Sequence, residues 1–295
     1  MTRVAVLGPG GVGGFVAAAL ARAGVATTVV AREETVAAIA DGGLRVRSAR
    51  LGEFAVRPAA TARLDDDVDV LVVATKAGAL DAALDRVAGT PGLVVPLLNG
   101  IDHVAALRER FGPRAVAATI RIESERVAPG EIVQTSPAYR VELASDAPAP
   151  RPRMAAFADV LRGAEIPARL GDGEAPVLWS KLARLNALAC TTAAYDLPIG
   201  AIREHPHRRV DLEAAVDETV AVADAEGAGL DADATLREIW ELDPAQTTSM
   251  ARDVAAGREP ELDAIAGAVL RHGAAHGLAC PTVERLAQRI WERLA

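Results

Sequence analysis

Lysine and asparagine, two residue types that often take part in chemistry, occur only twice each in this chain. Of its 32 basic residues 30 are Arg and 2 are Lys, namely Lys76 and Lys181, and its only asparagines are Asn99 and Asn186. An ammonium can lose its proton when desolvated, whereas a guanidinium effectively cannot. A chain that uses arginine for ordinary surface cations therefore points to Lys181 as a candidate for a chemical role. The alternative is an ordinary surface lysine.

A glycine-rich loop near the start of the chain has the context of a dinucleotide-binding fingerprint. An apolar run over 3–8 predicts a buried parallel strand, a helix pattern covers 15–23, and a second β-branched run covers 25–31. Between strand and helix, glycines allow a sharp turn, close approach of a pyrophosphate and tight helix packing, while the helix N-terminus offers free N–H groups. The alternative is a glycine-rich turn without a ligand. The candidate cofactor-binding residues here are Gly8, Pro9, Gly10, Gly11, Val12 and Gly13.

The residue that follows the second strand distinguishes between the two nicotinamide cofactors. NAD-binding folds usually place Asp or Glu there to bind the ribose 2′-hydroxyl, whereas an arginine suits a 2′-phosphate. This chain has Arg32, which favours NADPH, although Glu33 follows directly. The alternative for Arg32 is an ordinary solvated charge.

Both rare residue types also occur where later strands of the predicted sheet end. A buried strand over 68–74 leads into Lys76, and a strand over 92–98 leads into Asn99. Open α/β sheets bind ligands at the carboxyl ends of their strands, where the glycine loop also lies. We therefore expect Lys76 and Asn99 to belong to a functional site.

The remaining pattern predicts an α/β protein with a second, helical domain. Residues 43–58 predict a hairpin, and residues 115–143 predict antiparallel strands that extend the sheet. Gly171-Asp172-Gly173 marks the linker, so the predicted domains are a Rossmann domain over 1–171 and an all-α domain over 172–295. Helices are predicted over 79–87, 101–111, 154–164, 175–194, 205–227, 232–242, 246–257 and 261–276.

Composition excludes several classes of protein. A net charge of −8 without a basic block argues against nucleic acid or an anionic membrane as a partner. No signal-peptide pattern is present, and no apolar run approaches the ~18 residues of a membrane span, so we expect a cytoplasmic protein. Cys190 and Cys280 lack metal-ligand spacing, which predicts buried free thiols in a reducing compartment and no metal site.

With these residues in place, the chain resembles the ketopantoate reductase family over nearly its full length. The resemblance lies in the glycine loop with Arg32, Thr75-Lys76, Asn99-Gly100, Trp179-Ser180-Lys181-Leu182, Leu197-Pro198-Ile199-Gly200, Ser249-Met250-Ala251-Arg252-Asp253, Glu261-Leu262-Asp263, Gly267, His276-Gly277 and Pro281-Thr282. It implies an N-terminal Rossmann domain, a C-terminal helical domain, NADPH as hydride donor and a 2-oxo acid as acceptor. Dimerisation through the helical domain is a further expectation.

The resemblance implies a role for each matched polar residue. Lys181 would be the general acid that protonates the carbonyl oxygen, and Ser249 would bind the substrate. Glu261 would hold the substrate hydroxyl or the cofactor, while Lys76 and Asn99 would lie near the nicotinamide ribose and the substrate. The catalytic candidates are thus Lys181, Glu261 and Asn99. The chemistry of the residues agrees, because hydride arriving at a ketone leaves negative charge on oxygen that a cation can stabilise and protonate.

The chain departs from the family at two substrate positions. The family usually has asparagine four and eight residues after the lysine, where this chain has Leu185 and Ala189. On a helix Asn186 lies ~140° from Lys181, whereas Thr192 lies only ~20° away and could partly substitute. We therefore expect a more apolar substrate pocket lined by Lys181, Leu185, Ala189, Thr192 and Ser249.

Three functions follow as hypotheses. The first is an NADPH-dependent 2-oxo acid reductase with ketopantoate as the default substrate, and it needs Lys181 as an acid. The second is a relative that acts on a less polar ketone or secondary alcohol, which Leu185 and Ala189 favour. The third is a dinucleotide-binding sensor without catalysis, which would need no lysine acid.

Overall fold

The computed structural model describes residues 2–294 and divides them into two units. The first consists of the residues up to Leu98 together with His103–Val177. The second consists of Asn99–Asp102 together with the residues from Leu178 onward. This grouping describes packing, and the predicted functional boundary at residue 171 stays a prediction.

The first unit is organised around a five-stranded parallel sheet of order β5-β2-β1-β6-β7. The strand order reverses at β1, since β2 lies on one side of β1 and β6 on the other. The predicted α/β fold class with a Rossmann-like first domain is confirmed. The strands of the unit are β1 (Arg3–Leu7), β2 (Ala26–Val30), β3 (Leu44–Ser48), β4 (Gly52–Val56), β5 (Ala59–Thr61), β6 (Val68–Val73), β7 (Pro91–Pro96), β8 (Ala117–Arg121), β9 (Ser124–Ala128), β10 (Glu131–Gln134), β11 (Arg140–Ala144) and β12 (Ala168–Leu170).

The parallel strands are apolar throughout because both faces of the sheet are covered. Val4 and Val6 of β1 belong to one core, and Ala5 and Leu7 belong to the other. Alternate side chains of a strand point to opposite faces, so each face has its own core. Both faces of the sheet are therefore packed against buried side chains.

The strands between residues 115 and 143 include the predicted antiparallel pairs, β9 with β10 and β8 with β11. The prediction that they extend the parallel sheet was wrong, because they form two further sheets. One sheet has the order β4-β3-β10-β9, and the other has the order β12-β11-β8. The strand β10 pairs in parallel with β3, 86 residues earlier, and buries Ile132 beside Val46 in the first core. The burial of Ile132 places the β9-β10 hairpin beside the β3-β4 hairpin. A single bridge between Val94 and Ala115 links the residues just before β8 to β7.

The helices of the first unit connect these strands. One of them, over 33–42, was not predicted, because only Thr35 and Ile39 of its side chains are buried and its apolar pattern is weak. The predicted helix over 79–87 is shorter, since the chain forms a 3₁₀ turn at Ala77–Ala79 before the α-helix begins. The helices are α1 (Gly11–Arg22), α2 (Glu33–Gly42), α3 (Leu80–Leu84), α4 (His103–Phe111) and α5 (Arg151–Gly163).

The second unit is helical, as predicted, and none of its residues up to 294 is part of a named strand. The helix predicted over 205–227 is confirmed as one helix that begins at Pro206, a residue suited to the first helical position. A short helix over Ile199–Glu204 precedes it and was not predicted. A π-helical turn at Asp263–Gly267 interrupts the predicted helix over 261–276. The helices are α6 (Glu174–Tyr195), α7 (Ile199–Glu204), α8 (Pro206–Ala225), α9 (Ala232–Trp240), α10 (Ser249–Ala255), α11 (Ala268–Ala275) and α12 (Pro281–Leu294).

Two further properties concern the whole described chain. Within residues 2–294, none of the helices has both the length and the apolar character needed to cross a membrane. Cys190 and Cys280 are free and buried, as predicted, and burial raises the pKa of the Cys190 thiol to about 12.

Candidate functional site

The glycine loop between β1 and α1 forms an open cradle at its second glycine. Gly8 has a φ of +89°, a left-handed backbone conformation that residues other than glycine rarely adopt. Gly10 precedes the first helical residue, and a Cβ placed on it would meet no described atom within 4 Å. Because the first N–H groups of a helix have no intrahelical acceptor, this open position lies beside free donors.

The other glycines of the loop allow tight packing. A Cβ on Gly11 would lie 2.1 Å from the carbonyl oxygen of Ser124, whose hydroxyl donates to the Gly11 carbonyl over 2.8 Å. A Cβ on Gly13 would lie 2.2 Å from the Gly8 carbonyl oxygen, and one on Gly14 would lie 2.5 Å from Ile132. The loop is therefore held against β9 and β10, which leaves Gly10 as the open glycine between close contacts.

Thr75 and Lys76 follow β6 at the same edge of the sheet as the glycine loop. Since β1 and β6 are neighbours in parallel, their carboxyl ends meet at the point where the strand order reverses, the usual ligand position in such sheets. The Thr75 hydroxyl is buried and has no hydrogen-bond partner within residues 2–294, while its methyl group faces Gly8. A buried hydroxyl without a protein partner suits a site that a ligand completes. Lys76 is exposed, immediately before the 3₁₀ turn.

Arg32 and Glu33 differ in their surroundings. Glu33 pairs with Arg86 over 3.2 Å, and the pKa of its carboxyl lies below the usual value, because its own backbone N–H and then Arg86 stabilise the carboxylate. Arg86 also donates to the carbonyl oxygen of Ala62 over 3.0 Å. Arg32 is exposed at the N-cap of α2. The acidic residue after β2 is thus engaged by an arginine, and the basic one faces solvent.

In the second unit, Lys181 lies half-buried on the long helix α6. Its neighbours Trp179 and Leu182 are both 2% exposed and anchor this part of the helix in the core. The Trp179 ring packs edge-on against His272, with 5.4 Å between ring centroids and 84° between planes. These buried neighbours anchor α6 on both sides of Lys181.

The two positions where the family carries asparagine remain apolar in the structure. Helix α6 is regular throughout, so Leu185 lies one turn beyond Lys181 on the same face, and Ala189 follows it. Asn186 is fully buried elsewhere, where its Nδ2 donates to the Thr219 hydroxyl over 2.9 Å and its Oδ1 accepts from the Cys190 thiol over 3.2 Å. The single asparagine of the helix therefore joins α6 to α8.

Asn99 and Glu261 are in direct contact, although 162 residues separate them. Nδ2 of Asn99 donates to Oε2 of Glu261 over 2.9 Å, and both residues are half-buried. The following Gly100 has a φ of +79°, and a Cβ on it would lie 2.2 Å from the carbonyl oxygen of Ala264 in the π-helical turn. Only a glycine at position 100 allows the two backbones to come this close, and this close packing brings Asn99 to Glu261.

Thr192 and Ser249 are linked through a residue that the sequence did not single out. The hydroxyls of Thr192 and Thr248 lie 3.0 Å apart, and both side chains are buried. Thr248 caps α10 by accepting from the Ala251 N–H over 3.1 Å, and Ser249 begins that helix with an exposed side chain. A threonine directly before a helix is a cap signal that could have identified Thr248 from sequence.

The predicted site residues thus form two groups. The glycine loop, Arg32 and Lys76 belong to the first unit, and the others belong to the second. Within the second unit Asn99 contacts Glu261, and α6 carries Lys181, Leu185, Ala189 and Thr192. The prediction that both groups act on one substrate stays a prediction.

Comparisons with known proteins give a consistent result over both units. Residues 4–145 match the family model described as Ketopantoate reductase PanE/ApbA, and residues 175–293 match its C-terminal model. A 2-dehydropantoate 2-reductase of Caulobacter vibrioides is 33% identical over 95% of each chain. The crystal structure of a 2-dehydropantoate 2-reductase from Geobacter metallireducens aligns with a TM-score of 0.90 at 26% identity, over 98% of this chain and 99% of that one. D-mandelate dehydrogenase with NADH and anilino(oxo)acetate has the same fold, with a TM-score of 0.88 at 21% identity over 99% and 98% of the two chains.

Proposed function

The chain belongs to the ketopantoate reductase family, whose members are oxidoreductases acting on a CH–OH group, and from this premise we propose that it reduces a 2-oxo acid with NADPH. The default reaction is the conversion of 2-dehydropantoate to pantoate. The observation that carries the proposal is the contact of Asn99 with Glu261, because it unites two predicted site residues in the unit that also contains Lys181.

The residues of the glycine loop fit a dinucleotide. The open position at Gly10, the helix N-terminus behind it and the unpartnered hydroxyl of Thr75 would hold the pyrophosphate side of the cofactor. When bound, the nicotinamide ring supplies the hydride that reduces the carbonyl carbon. Lys76 would add a positive charge at the same edge of the sheet.

Arg32 would bind the 2′-phosphate that distinguishes NADPH from NADH. Its guanidinium is exposed directly after β2, and it makes no hydrogen bond or ion pair with the residues that the structure describes. The adjacent Glu33, which would suit a ribose hydroxyl, is instead engaged by Arg86. An arginine binds phosphate oxygens bidentately, which supports a preference for NADPH.

Lys181 would act as the general acid of the reduction. As the carbonyl carbon becomes tetrahedral, negative charge develops on the carbonyl oxygen, and an ammonium placed there stabilises it and donates the proton. The products are the 2-hydroxy acid, the oxidised cofactor and a neutral lysine, which regains its proton from water. Glu261 and Asn99 would orient the hydroxyl of the substrate or the cofactor, and Ser249 would bind the substrate. Thr192 would hold the start of α10 through Thr248, because its hydroxyl is already engaged there.

The test is the oxidation of NADPH in the presence of ketopantoate by the wild-type protein and two variants. Lys181→Ala removes the acid and should lower kcat about 10²- to 10⁴-fold. Lys181→Arg retains the charge but cannot release a proton, so it should also lose turnover while it binds the substrate better than the alanine variant. Equal turnover of all three proteins would refute the role of Lys181.

A second candidate function follows from the apolar face of α6. Leu185 and Ala189 offer no amide to the substrate, and Asn186 cannot replace one because it is buried against Thr219. A less polar 2-oxo acid, or the corresponding ketone or secondary alcohol, would suit such a pocket better than ketopantoate. The double variant Leu185→Asn with Ala189→Asn should improve the KM for ketopantoate, since two neutral hydrogen bonds contribute about 1–3 kcal/mol.

A panel of 2-oxo acids distinguishes these possibilities. Faster turnover of apolar 2-oxo acids than of ketopantoate would favour the second function, and the reverse would favour the first. Tight NADPH binding without turnover of any substrate would favour a dinucleotide-binding sensor. A cytoplasmic location and a homodimer remain predictions, and light scattering of the purified protein tests the dimer.

A further inference from the structure

A network of charged side chains in the second unit surrounds Asp102, which lies three residues after Asn99. Asp102 is half-exposed, and its carboxylate accepts hydrogen bonds from two consecutive residues of α11, Arg271 and His272. These two residues in turn reach the π-helical turn and helix α8. The network is separate from the residues that we assign to the reaction, yet each branch ends beside one of them.

The first branch fixes the π-helical turn. Arg271 donates through Nη2 and Nε to Oδ2 of Asp102, over 2.6 and 3.2 Å. It also donates through Nη1 to Oδ1 of Asp263 over 2.7 Å and through Nη2 to the Asp263 carbonyl oxygen over 3.0 Å. A Cβ on Gly267 would lie 2.7 Å from Oδ1 of Asp263 and 2.9 Å from Nη1 of Arg271. The missing side chain at Gly267 thus leaves room for this ion pair.

This branch lies beside the contact between Asn99 and Glu261. Arg271 joins Asp102, at one end of the segment 99–102, to Asp263, two residues after Glu261. Gly100, in the segment 99–102, lies against the carbonyl oxygen of Ala264 in the π-helical turn. The asparagine and the glutamate are therefore flanked by the contact of Gly100 with Ala264 and by the Arg271 guanidinium, which joins the Asp102 carboxylate to the carboxylate and carbonyl oxygen of Asp263.

The second branch leads to the helix of Lys181. Nε2 of His272 lies 3.1 Å from Oδ1 of Asp102, and Nδ1 lies 2.7 Å from Oε1 of Glu226. His276 lies 3.0 Å from the same oxygen of Glu226 through Nε2. The His272 ring lies between these two carboxylates and packs edge-on against the buried ring of Trp179, which is two residues before Lys181. The position of α6 near Lys181 is thus coupled to Asp102 through one imidazole ring.

The charges of the network support its integrity at neutral pH. Partial burial raises the pKa of Asp102, but hydrogen bonds from Arg271 and His272 outweigh it and hold the pKa below its usual value. Burial likewise raises the pKa of Glu226, and hydrogen bonds from His272 and His276 outweigh it. Both carboxylates are therefore ionised when the protein is at neutral pH. Isolated exposed ion pairs contribute little, whereas a network that includes a forked arginine fixes geometry.

We propose that Asp102 is a positioning residue of the reaction, which aligns Asn99 with Glu261 through Arg271 and Lys181 through His272. The inference rests on the proposed function, since it concerns the alignment of the residues that would carry it. A misplacement of about 1 Å in a catalytic group can cost about 100-fold in rate, so a residue that touches no substrate can still control kcat.

The experiment compares Asp102→Asn with Asp211→Asn in the full-length protein. Asp211 is a matched control, because it also accepts from an arginine, Arg285, and belongs to the same unit. For Asp102→Asn we expect kcat with the 2-oxo acid substrate to fall about 10- to 100-fold. The Kd for NADPH should change much less, because we assign the phosphates of the cofactor to the glycine loop and Arg32 of the first unit. For Asp211→Asn we expect an unchanged kcat together with a lower melting temperature.

A second variant keeps the inference testable if Asp102→Asn does not fold. Arg271→Lys retains the positive charge but cannot bridge Asp102 and Asp263 with a planar fork, so it should also lower kcat about tenfold. Equal kcat values for the wild type, Asp102→Asn and Arg271→Lys would overturn the positioning role. Wild-type protein without any reductase activity would instead overturn the proposed function, so the two failures are distinguishable.

Discussion

The substitution Gly10→Ala separates the binding of the cofactor from the stability of the fold. Gly10 has a φ of −71°, which alanine adopts readily, and its Cβ would meet no described atom within 4 Å. The smaller entropy of the unfolded alanine chain contributes about 0.4–1 kcal/mol of stability, and the weaker capping by alanine offsets about as much. The free energy of unfolding should therefore change by less than about 0.5 kcal/mol.

Cofactor binding should respond very differently to the same methyl group. The methyl occupies the space through which a pyrophosphate would reach the N-terminus of α1, and it should break at least one charge-assisted hydrogen bond. Such a bond contributes about 2–3 kcal/mol, which corresponds to an increase of about 30- to 160-fold in the Kd for NADPH. Calorimetric titration with NADPH measures the Kd, and urea unfolding measures the stability.

Two further glycines serve as controls for this prediction. Gly163→Ala makes the same change at the end of α5, where a Cβ also meets no described atom. The Kd for NADPH should stay at the wild-type value, and the stability should rise by about 0.4–1 kcal/mol. Gly13→Ala places a Cβ 2.2 Å from the Gly8 carbonyl oxygen, so it should lose about 1–3 kcal/mol of stability. An unchanged Kd for NADPH in Gly10→Ala would refute the assignment of the glycine loop.

The remaining predictions concern cofactor choice, the buried asparagine and acid stability. Arg32→Ala should weaken NADPH binding far more than NADH binding, and equal wild-type affinity for both would count against a phosphate contact. Asn186→Ala should cost about 1–3 kcal/mol in urea unfolding, because it removes a buried hydrogen bond to Thr219, while the KM of the 2-oxo acid stays unchanged. Burial raises the pKa of Asp211, but hydrogen bonds from Arg285 and Tyr195 outweigh it and lower the folded-state pKa below the ordinary value of 3.8. Its stabilisation is therefore complete above that value and is lost as the pH falls through the lower folded-state pKa. The stability difference between the wild type and Asp211→Asn should be full at pH 7 and shrink below about pH 4, and a constant difference would contradict the ion pair.

The sequence predicts the parallel sheet and the position of its ligand edge because both depend on local patterns. A run such as Val68–Val73 is apolar at every position, and a strand buried on both faces requires this. The glycine loop is similarly local, since its turn at Gly8 and its open position at Gly10 lie within a few residues, although its contacts with Ser124 and Ile132 are distant in sequence. These features were therefore accessible before the structure was known.

The parts that sequence reasoning missed depend on distant partners. The pairing of β10 with β3 joins residues 86 positions apart, and no local pattern in residues 131–134 specifies it. The prediction that Asn186 faces away from Lys181 followed from helical geometry, but its partner Thr219 could not be identified. No sequence pattern distinguishes Asp102 from the many other acidic residues of the chain, and only the structure shows its contacts with α11.

The central claim is that this chain transfers hydride from NADPH to a 2-oxo acid, and isotope transfer tests it most directly. The protein would be incubated with ketopantoate, or with the best acceptor of the substrate panel, and with NADPH that carries deuterium at both C4 positions. Mass spectrometry of the product should show one deuterium in the 2-hydroxy acid, and the Lys181→Ala variant should form this product far more slowly. A wild-type protein that binds NADPH but yields no deuterated 2-hydroxy acid from any 2-oxo acid would contradict the account.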